Sequence, residues 1–166
     1  SGVTGVQTCA LPICLDIAGG DIRIFDPCCG TGSALAALGE HLAESGASCH
    51  SFGVELDKGR AQTARSLLDT VIQGDIESCI LQPRTVGLLF LNPPYGFTAA
   101  DNLSNNRTKR LEEIFFDLTV PALQDEGVMV LVIPVAALTE KLTFEIASRF
   151  TGLRMYKAAV DTYRQV

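Results

Sequence analysis

The sequence predicts an α/β fold, a doubly wound sheet of parallel strands with helices on both faces. Two observations carry that prediction. Short β-branched and aromatic runs alternate with longer segments of helical spacing. Two of the runs, 86–91 and 127–134, are almost wholly apolar, as strands covered on both faces must be.

Taken in order, residues 22–25 read as a buried strand that stops at Asp26-Pro27. A helix follows over 33–45, with Leu35, Leu38 and Leu42 at helical spacing and Gly46 as its stop. Residues 51–55 form the second strand. Residues 58–68 form a helix whose Ala61, Ala64 and Leu68 share a face. Thr70–Gln73 is a short strand and Val86–Leu91 a central one. A polar loop over 96–106 leads to a helix over about 108–123, a strand over 127–134, a helix over 135–150 and a last strand over 153–160. Right-handed crossovers place helices on both faces and ligands at the carboxyl ends of the strands, near the point where strand order reverses.

Composition narrows the function classes. The chain has 166 residues and carries 13 Lys+Arg against 19 Asp+Glu, a formal charge of −6. That balance excludes a broadly basic nucleic-acid coat protein while leaving room for a local basic site. No apolar run approaches the roughly 18–20 residues that span a bilayer, and no signal peptide is evident. The six cysteines include no CxxC pair and do not read as a disulfide framework, which points to a reducing cytoplasm.

The N-terminus reads differently from the rest. Residues 3–13, Val-Thr-Gly-Val-Gln-Thr-Cys-Ala-Leu-Pro-Ile, match the conceptual translation of a common sequencing-library adapter. Residues 1–13 are therefore read as non-native and set aside from fold reasoning, leaving 14–166 as the domain. That domain is expected to be cut at both ends, with an exposed sheet edge near the fifth and sixth strands and a tendency to aggregate.

Four strand ends carry the chemistry. The first runs into Asp26-Pro27-Cys28-Cys29-Gly30-Thr31-Gly32, where Gly30 and Gly32 let the backbone turn tightly and approach a ligand. Position 35 is Leu35 rather than a third glycine, and no Gly-Lys-Ser/Thr follows, so a pyrophosphate ligand is disfavoured. The second ends at Glu55, an acid 23 residues beyond Gly32 that can accept hydrogen bonds from both hydroxyls of a ribose. The third ends Gly74-Asp75-Ile76, an acid for an exocyclic amine and an aliphatic side chain for a ring. The fourth ends Asn92-Pro93-Pro94-Tyr95. Its prolines fix the backbone and remove amide donors, so an amide side chain, a rigid carbonyl and an aromatic face together suit a planar amino group. Past the polar loop, Arg107, Lys109 and Arg110 suit phosphate contacts, and equally an ordinary helix start beside Glu112 and Glu113. His41 and His50 lie away from the strand ends and read as surface residues.

In that order, Asp-Pro-x-Cys-Gly-x-Gly, Glu, Gly-Asp and Asn-Pro-Pro-Tyr resemble the class I S-adenosylmethionine-dependent methyltransferases of the amino-methyltransferase group. With the glycine loop first, the order is similar to the N6-adenine enzymes of the gamma type. The stretch from about Asp21 to Val166 is also similar to an uncharacterised methyltransferase-like family of bacteria and mobile elements. There Gly-Val-Glu-Leu-Asp, Leu-Leu-Phe-Leu-Asn-Pro-Pro-Tyr and a late Tyr-x-x-x-Gln-Val recur, the last one residue shorter here at Tyr163-Arg164-Gln165-Val166.

The resemblance implies a Rossmann-like sheet of order 3-2-1-4-5-7-6 with its last strand truncated, and S-adenosylmethionine as cofactor. Asp26, Pro27, Cys28, Gly30 and Gly32 would cradle the methionine moiety, with Asp26 near its amino group. Glu55 would take the ribose, and Asp75 and Ile76 the adenine. Asn92 and the Pro93 carbonyl would accept hydrogen bonds from the target amine, Pro94 would keep the turn rigid, and Tyr95 would stack on the substrate. No metal or covalent nucleophile is needed, and Cys28 and Cys29 are expected to pack inertly in the turn. The substrate implied is adenine in nucleic acid, DNA ahead of RNA. A protein glutamine N5-methyltransferase shares Asn-Pro-Pro-Tyr and is the alternative, with a catalytically idle methyltransferase-like binding module the third reading.

Overall fold

The computed structural model describes residues 20–95 and 110–156. Five parallel strands form one sheet: β1 (Asp21–Asp26), β2 (Ser48–Glu55), β3 (Thr70–Gln73), β4 (Val86–Leu91) and β5 (Leu123–Leu131), in the order β3-β2-β1-β4-β5. The expected order 3-2-1-4-5 is met. From β1 the chain steps outward through β2 to β3, then returns to the far side of β1 for β4 and β5. The carboxyl ends of β1 and β4 therefore flank the switch point, where ligands bind in open α/β sheets.

Helix α1 (Ser33–Glu44) packs on β1 and β2, α2 (Lys58–Ala64) on β2 and β3, and α3 (Leu111–Thr119) on β4. Right-handed crossovers put α1 and α2 on one face and α3 on the other. The spacing of Leu35, Leu38 and Leu42 buries all three against the sheet, whose strands bury Ile24, Val54, Leu88 and Leu89, while α3 buries Phe116. The described residues 20–95 and 110–139 form one compact unit. Helix α4 (Glu140–Arg149) belongs to a separate one, where Arg149 and Glu145 pair at 2.8 Å.

The structure differs from the sequence-based expectations at several element boundaries. β2 starts at Ser48 because β1 pairs with it from Asp21↔Ser48 onward, so ladder hydrogen bonds recruit the polar Ser48-Cys49-His50. α2 stops at Ala64, and residues 65–68 continue as tighter turns, with the Leu67 and Leu68 amides both bonding Ala64 O. The expected helix over 108–123 ends at Thr119, where Pro121 sits inside a 3-10 turn (Val120–Ala122) and cannot donate to a helix. β5 begins at Leu123 and bulges, since Val86 faces Leu123 and Leu88 faces Val128, with Glu126 at φ 65° between them. The helix expected over 135–150 is split into a 3-10 turn (Val135–Ala137) and α4. Between the two pieces lies Thr139, its hydroxyl donating to Glu113 Oε1 at 2.9 Å.

The last strand is a correction as far as it is described. Residues 153–156 form no strand, and Leu153, Met155 and Tyr156 are exposed. Residues 157–160 lie outside the described residues, as do the polar loop over 96–106 and the adapter-like 1–13.

One polar clamp holds the rear of the sheet. Asp69 Oδ2 accepts from the Ser51 amide at 2.7 Å and the Ser51 hydroxyl at 2.8 Å, while Ser51 Oγ accepts from the Asp69 amide at 2.9 Å. The Ser51 hydrogen bonds hold the Asp69 carboxyl below its usual range. The clamp is thus present above the ordinary carboxylate pKa and lost as pH falls through the depressed value. Asp69→Ala is expected to cost about 1–2 kcal/mol, read as a lower melting temperature at pH 7 and a smaller difference from the parent near pH 3.

Candidate active site at the strand ends

The carboxyl ends of β3, β2, β1 and β4 are joined by hydrogen bonds in sheet order. The Gly74 amide, after β3, donates to Glu55 O at 3.0 Å. The Cys29 amide, after β1, donates to Val54 O at 2.9 Å, and the Gly30 amide donates to Glu55 Oε2 at 2.9 Å. On the other side of β1, Cys28 Sγ donates to Asn92 O, after β4, at 3.0 Å.

The β1 loop is built for close approach. Asp26 Oδ1 accepts from the Cys28 amide two residues on, which starts the turn. Gly30 (φ 57°) and Gly32 (φ 83°) then take left-handed conformations that side-chain-bearing residues disfavour. A Cβ on Gly30 would meet nothing within 4 Å, so the space before it is open. A Cβ on Gly53, in β2 beneath the loop, would fall 2.6 Å from Cys29 Sγ. Gly53 thus lets the loop sit down on β2, a role the sequence did not announce.

Burial dominates the electrostatics of Asp26. It is 2% exposed, and desolvation pushes its carboxyl up to about 7, against the hydrogen bonds from Cys28, with the nearby Glu55 adding to the rise. Glu55 behaves in the opposite way. Burial raises it, but hydrogen bonds from Arg60 and from the Asp57 and Gly30 amides outweigh that, and the carboxyl lies below its usual range. The Asp57 amide reaches Oε1 at 2.7 Å and Arg60 Nη2 reaches the same oxygen at 2.8 Å. Asp75 is exposed and caps a 3-10 turn (Ile76–Ser78) by accepting from the Glu77 amide at 3.0 Å. Ile76 is buried and anchors that turn.

At β4, Pro93 is fully buried while Asn92, Pro94 and Tyr95 are exposed. The Tyr95 hydroxyl donates to Asn92 Oδ1 at 3.0 Å. An amide oxygen has two lone pairs, so Asn92 Oδ1 can accept a second hydrogen bond. Cys28 is more than the inert packing expected of it, because its thiol ties the glycine loop to this motif. Burial and the neighbouring Asp26 raise the thiol pKa well above its ordinary range, which keeps the S–H proton in place to donate. Cys29 is buried, with its thiol pushed up to about 12 chiefly by desolvation.

The expected site residues Asp26, Pro27, Cys28, Gly30, Gly32, Glu55, Asp75, Ile76 and 92–95 all fall at the carboxyl ends of four neighbouring strands. Arg110 stands at the N-cap of α3, and Arg107 and Lys109 lie outside the described residues. His41 and His50 are exposed in α1 and β2. Among the described residues there is no cluster of His, Cys, Asp and Glu suited to a metal, and no helix long and apolar enough to cross a membrane.

The fold is that of the class I S-adenosylmethionine-dependent methyltransferases. A solved Listeria monocytogenes protein described as one of that class matches with a TM-score of 0.61 at 16% identity, over 75% of this chain and 43% of its own. The chain belongs to a family described as an uncharacterised methyltransferase family (DUF6094), whose model matches residues 13–166. It is also similar to the Type II methyltransferase M.VspI of Vibrio sp. (strain 343), 27% identical over 124 residues, which is 64% of this chain and 30% of that protein. The chain thus spans less than half the length of these two relatives.

If the cofactor's ammonium sits beside Asp26, as the resemblance implies, it favours the ionised form, and below pH 7 binding must expel a proton. Affinity for S-adenosylhomocysteine, whose amino group is cationic, is expected to rise about tenfold from pH 6 to pH 8. Calorimetric titration checks this, and Asp26→Asn should flatten the profile.

Proposed function

We propose that this chain binds S-adenosylmethionine along the ends of β1, β2 and β3 and methylates the N6 amine of adenine in DNA. The observation that carries the reading is the Cys28–Asn92 tie, which holds a cofactor-type glycine loop against an Asn-Pro-Pro-Tyr motif at the switch point. The donor set fits the cofactor. Asp26, Glu55 and Asp75 present three acids in a row, suited to an ammonium, a diol and an exocyclic amine and ill suited to a phosphate. Open space before Gly30 leaves room for the ligand backbone.

When bound, the cofactor supplies a sulfonium methyl that a nitrogen lone pair can take. The chain's own residues make the nitrogen competent. An adenine amine is a poor nucleophile because its lone pair is delocalised into the ring. Asn92 Oδ1 and the Pro93 carbonyl accept its two N–H bonds, favouring a pyramidal nitrogen with its lone pair free. The buried Pro93 keeps that carbonyl from moving, so the work is positioning and electrostatics. Tyr95, nearly half exposed, offers a ring for a flipped base. Arg107, Lys109 and Arg110 supply phosphate contacts. The likeness to a Type II methyltransferase favours nucleic acid as the substrate class. The free thiols of Cys28, Cys29, Cys49 and Cys79 suit a reducing cytoplasm.

The test incubates the protein with unmethylated DNA and S-adenosylmethionine and measures N6-methyladenine by mass spectrometry. Asn92→Ala is expected to lower the rate at least about a hundredfold, while S-adenosylhomocysteine affinity stays within about twofold. Methylated glutamine in a protein substrate without N6-methyladenine would move the reading to N5 chemistry. An absence of cofactor binding would leave a binding module.

A further inference from the structure

We propose that Arg60 is a placeholder for the ribose hydroxyls, a side chain that occupies the Glu55 carboxylate until the cofactor displaces it. The proposal rests on the reading of Glu55 as the ribose acceptor. A carboxylate has about four lone-pair positions, two on each oxygen. Three protein donors already use them: the Asp57 amide at 2.7 Å and Arg60 Nη2 at 2.8 Å on Oε1, and the Gly30 amide at 2.9 Å on Oε2. Oε1 is therefore full, and Oε2 has one position left. A ribose offers two hydroxyl donors, so a bidentate contact needs one protein donor to leave.

The donors are not equally able to leave. Gly30 and Asp57 donate from backbone fixed at the turn after β1 and at the cap of α2, where Asp57 Oδ1 accepts from the Arg60 amide at 2.8 Å. Losing either amide bond means moving the chain. Arg60 donates from a long side chain that is 57% exposed, opposite a carboxylate that is 5% exposed. Its guanidinium can swing into water and be solvated there, at the cost of an ion pair weakened by its exposed half. The pair also neutralises a buried carboxylate. Cofactor affinity is accordingly the ribose contact less the cost of parting Arg60 from Glu55.

The experiment is calorimetric titration of S-adenosylhomocysteine at pH 8, where Glu55 keeps two backbone donors in every variant. Arg60→Ala and Arg60→Met, the second keeping an aliphatic stem, are both expected to bind about two- to fivefold tighter than the parent at low salt. Raising sodium chloride to about 0.5 M screens the pair. The advantage of the variants should then shrink, because the parent gains and they do not. Weaker or unchanged binding by both variants, with melting temperatures like the parent's, overturns the placeholder role. Glu55→Gln separates the two ideas. If it weakens binding at least about tenfold while the Arg60 variants fail to tighten it, only the placeholder falls. If it binds like the parent, the ribose reading falls and takes the placeholder with it.

Discussion

The Glu55 carboxylate is the point on which the site depends. It accepts from the glycine loop after β1, from the turn into α2 and from the Arg60 side chain, and its own backbone oxygen accepts from Gly74 after β3. A single acid thus sets the spacing of three strand ends. Removing water from such a group is unfavourable, and the hydrogen bonds that compensate are also those that define the turn geometry. Cys28 extends the arrangement across β1 to Asn92, so the glycine loop and the Asn-Pro-Pro-Tyr turn share one frame.

The two carboxylates at the centre are held in opposite ways. Glu55 is surrounded by donors and stays ionised. Asp26 has a single backbone partner for Oδ1 and is raised toward neutrality by burial. Such a contrast between neighbouring acids is common where a protein assigns them separate tasks. Glu55 is prepared before a ligand arrives, whereas Asp26 reaches its charged form most readily when a cation comes to it.

Much of this was legible in the residues, for identifiable reasons. Thr70–Gln73 and Val86–Leu91 coincide with their expected bounds, since polar or turn residues flank each run and nothing distant alters the ends. The site positions were legible because parallel strands deliver their last residues to one edge. What escaped depended on partners far along the chain. Ser48 joins β2 only because Asp21 lies opposite, and Leu123 joins β5 only across a bulge facing β4. The Cys28–Asn92 bond links residues 64 apart, and Arg60 reaches Glu55 from the next helix. Neither contact has a local signature. The loop between Tyr95 and Arg110, where the sequence suggests phosphate contacts, lies outside the described residues.

The order of the hydrogen-bonded strand ends has a bearing on how the protein acquires its site. Gly74, Glu55, Gly30, Cys28 and Asn92 come from four strands, and the chain visits β4 only after β1, β2 and β3. No local hairpin can assemble even half of that row, because every neighbouring pair is parallel and requires a long crossover. Loop closure must be completed several times before the whole row exists, a slow route by the usual relation between contact order and rate. The complete row is therefore formed late, and a chain that engages all four strand ends has finished pairing β1 to β4. Ligand capture then acts as a ratchet on folding, withdrawing completed molecules from the equilibrium with partly paired ones.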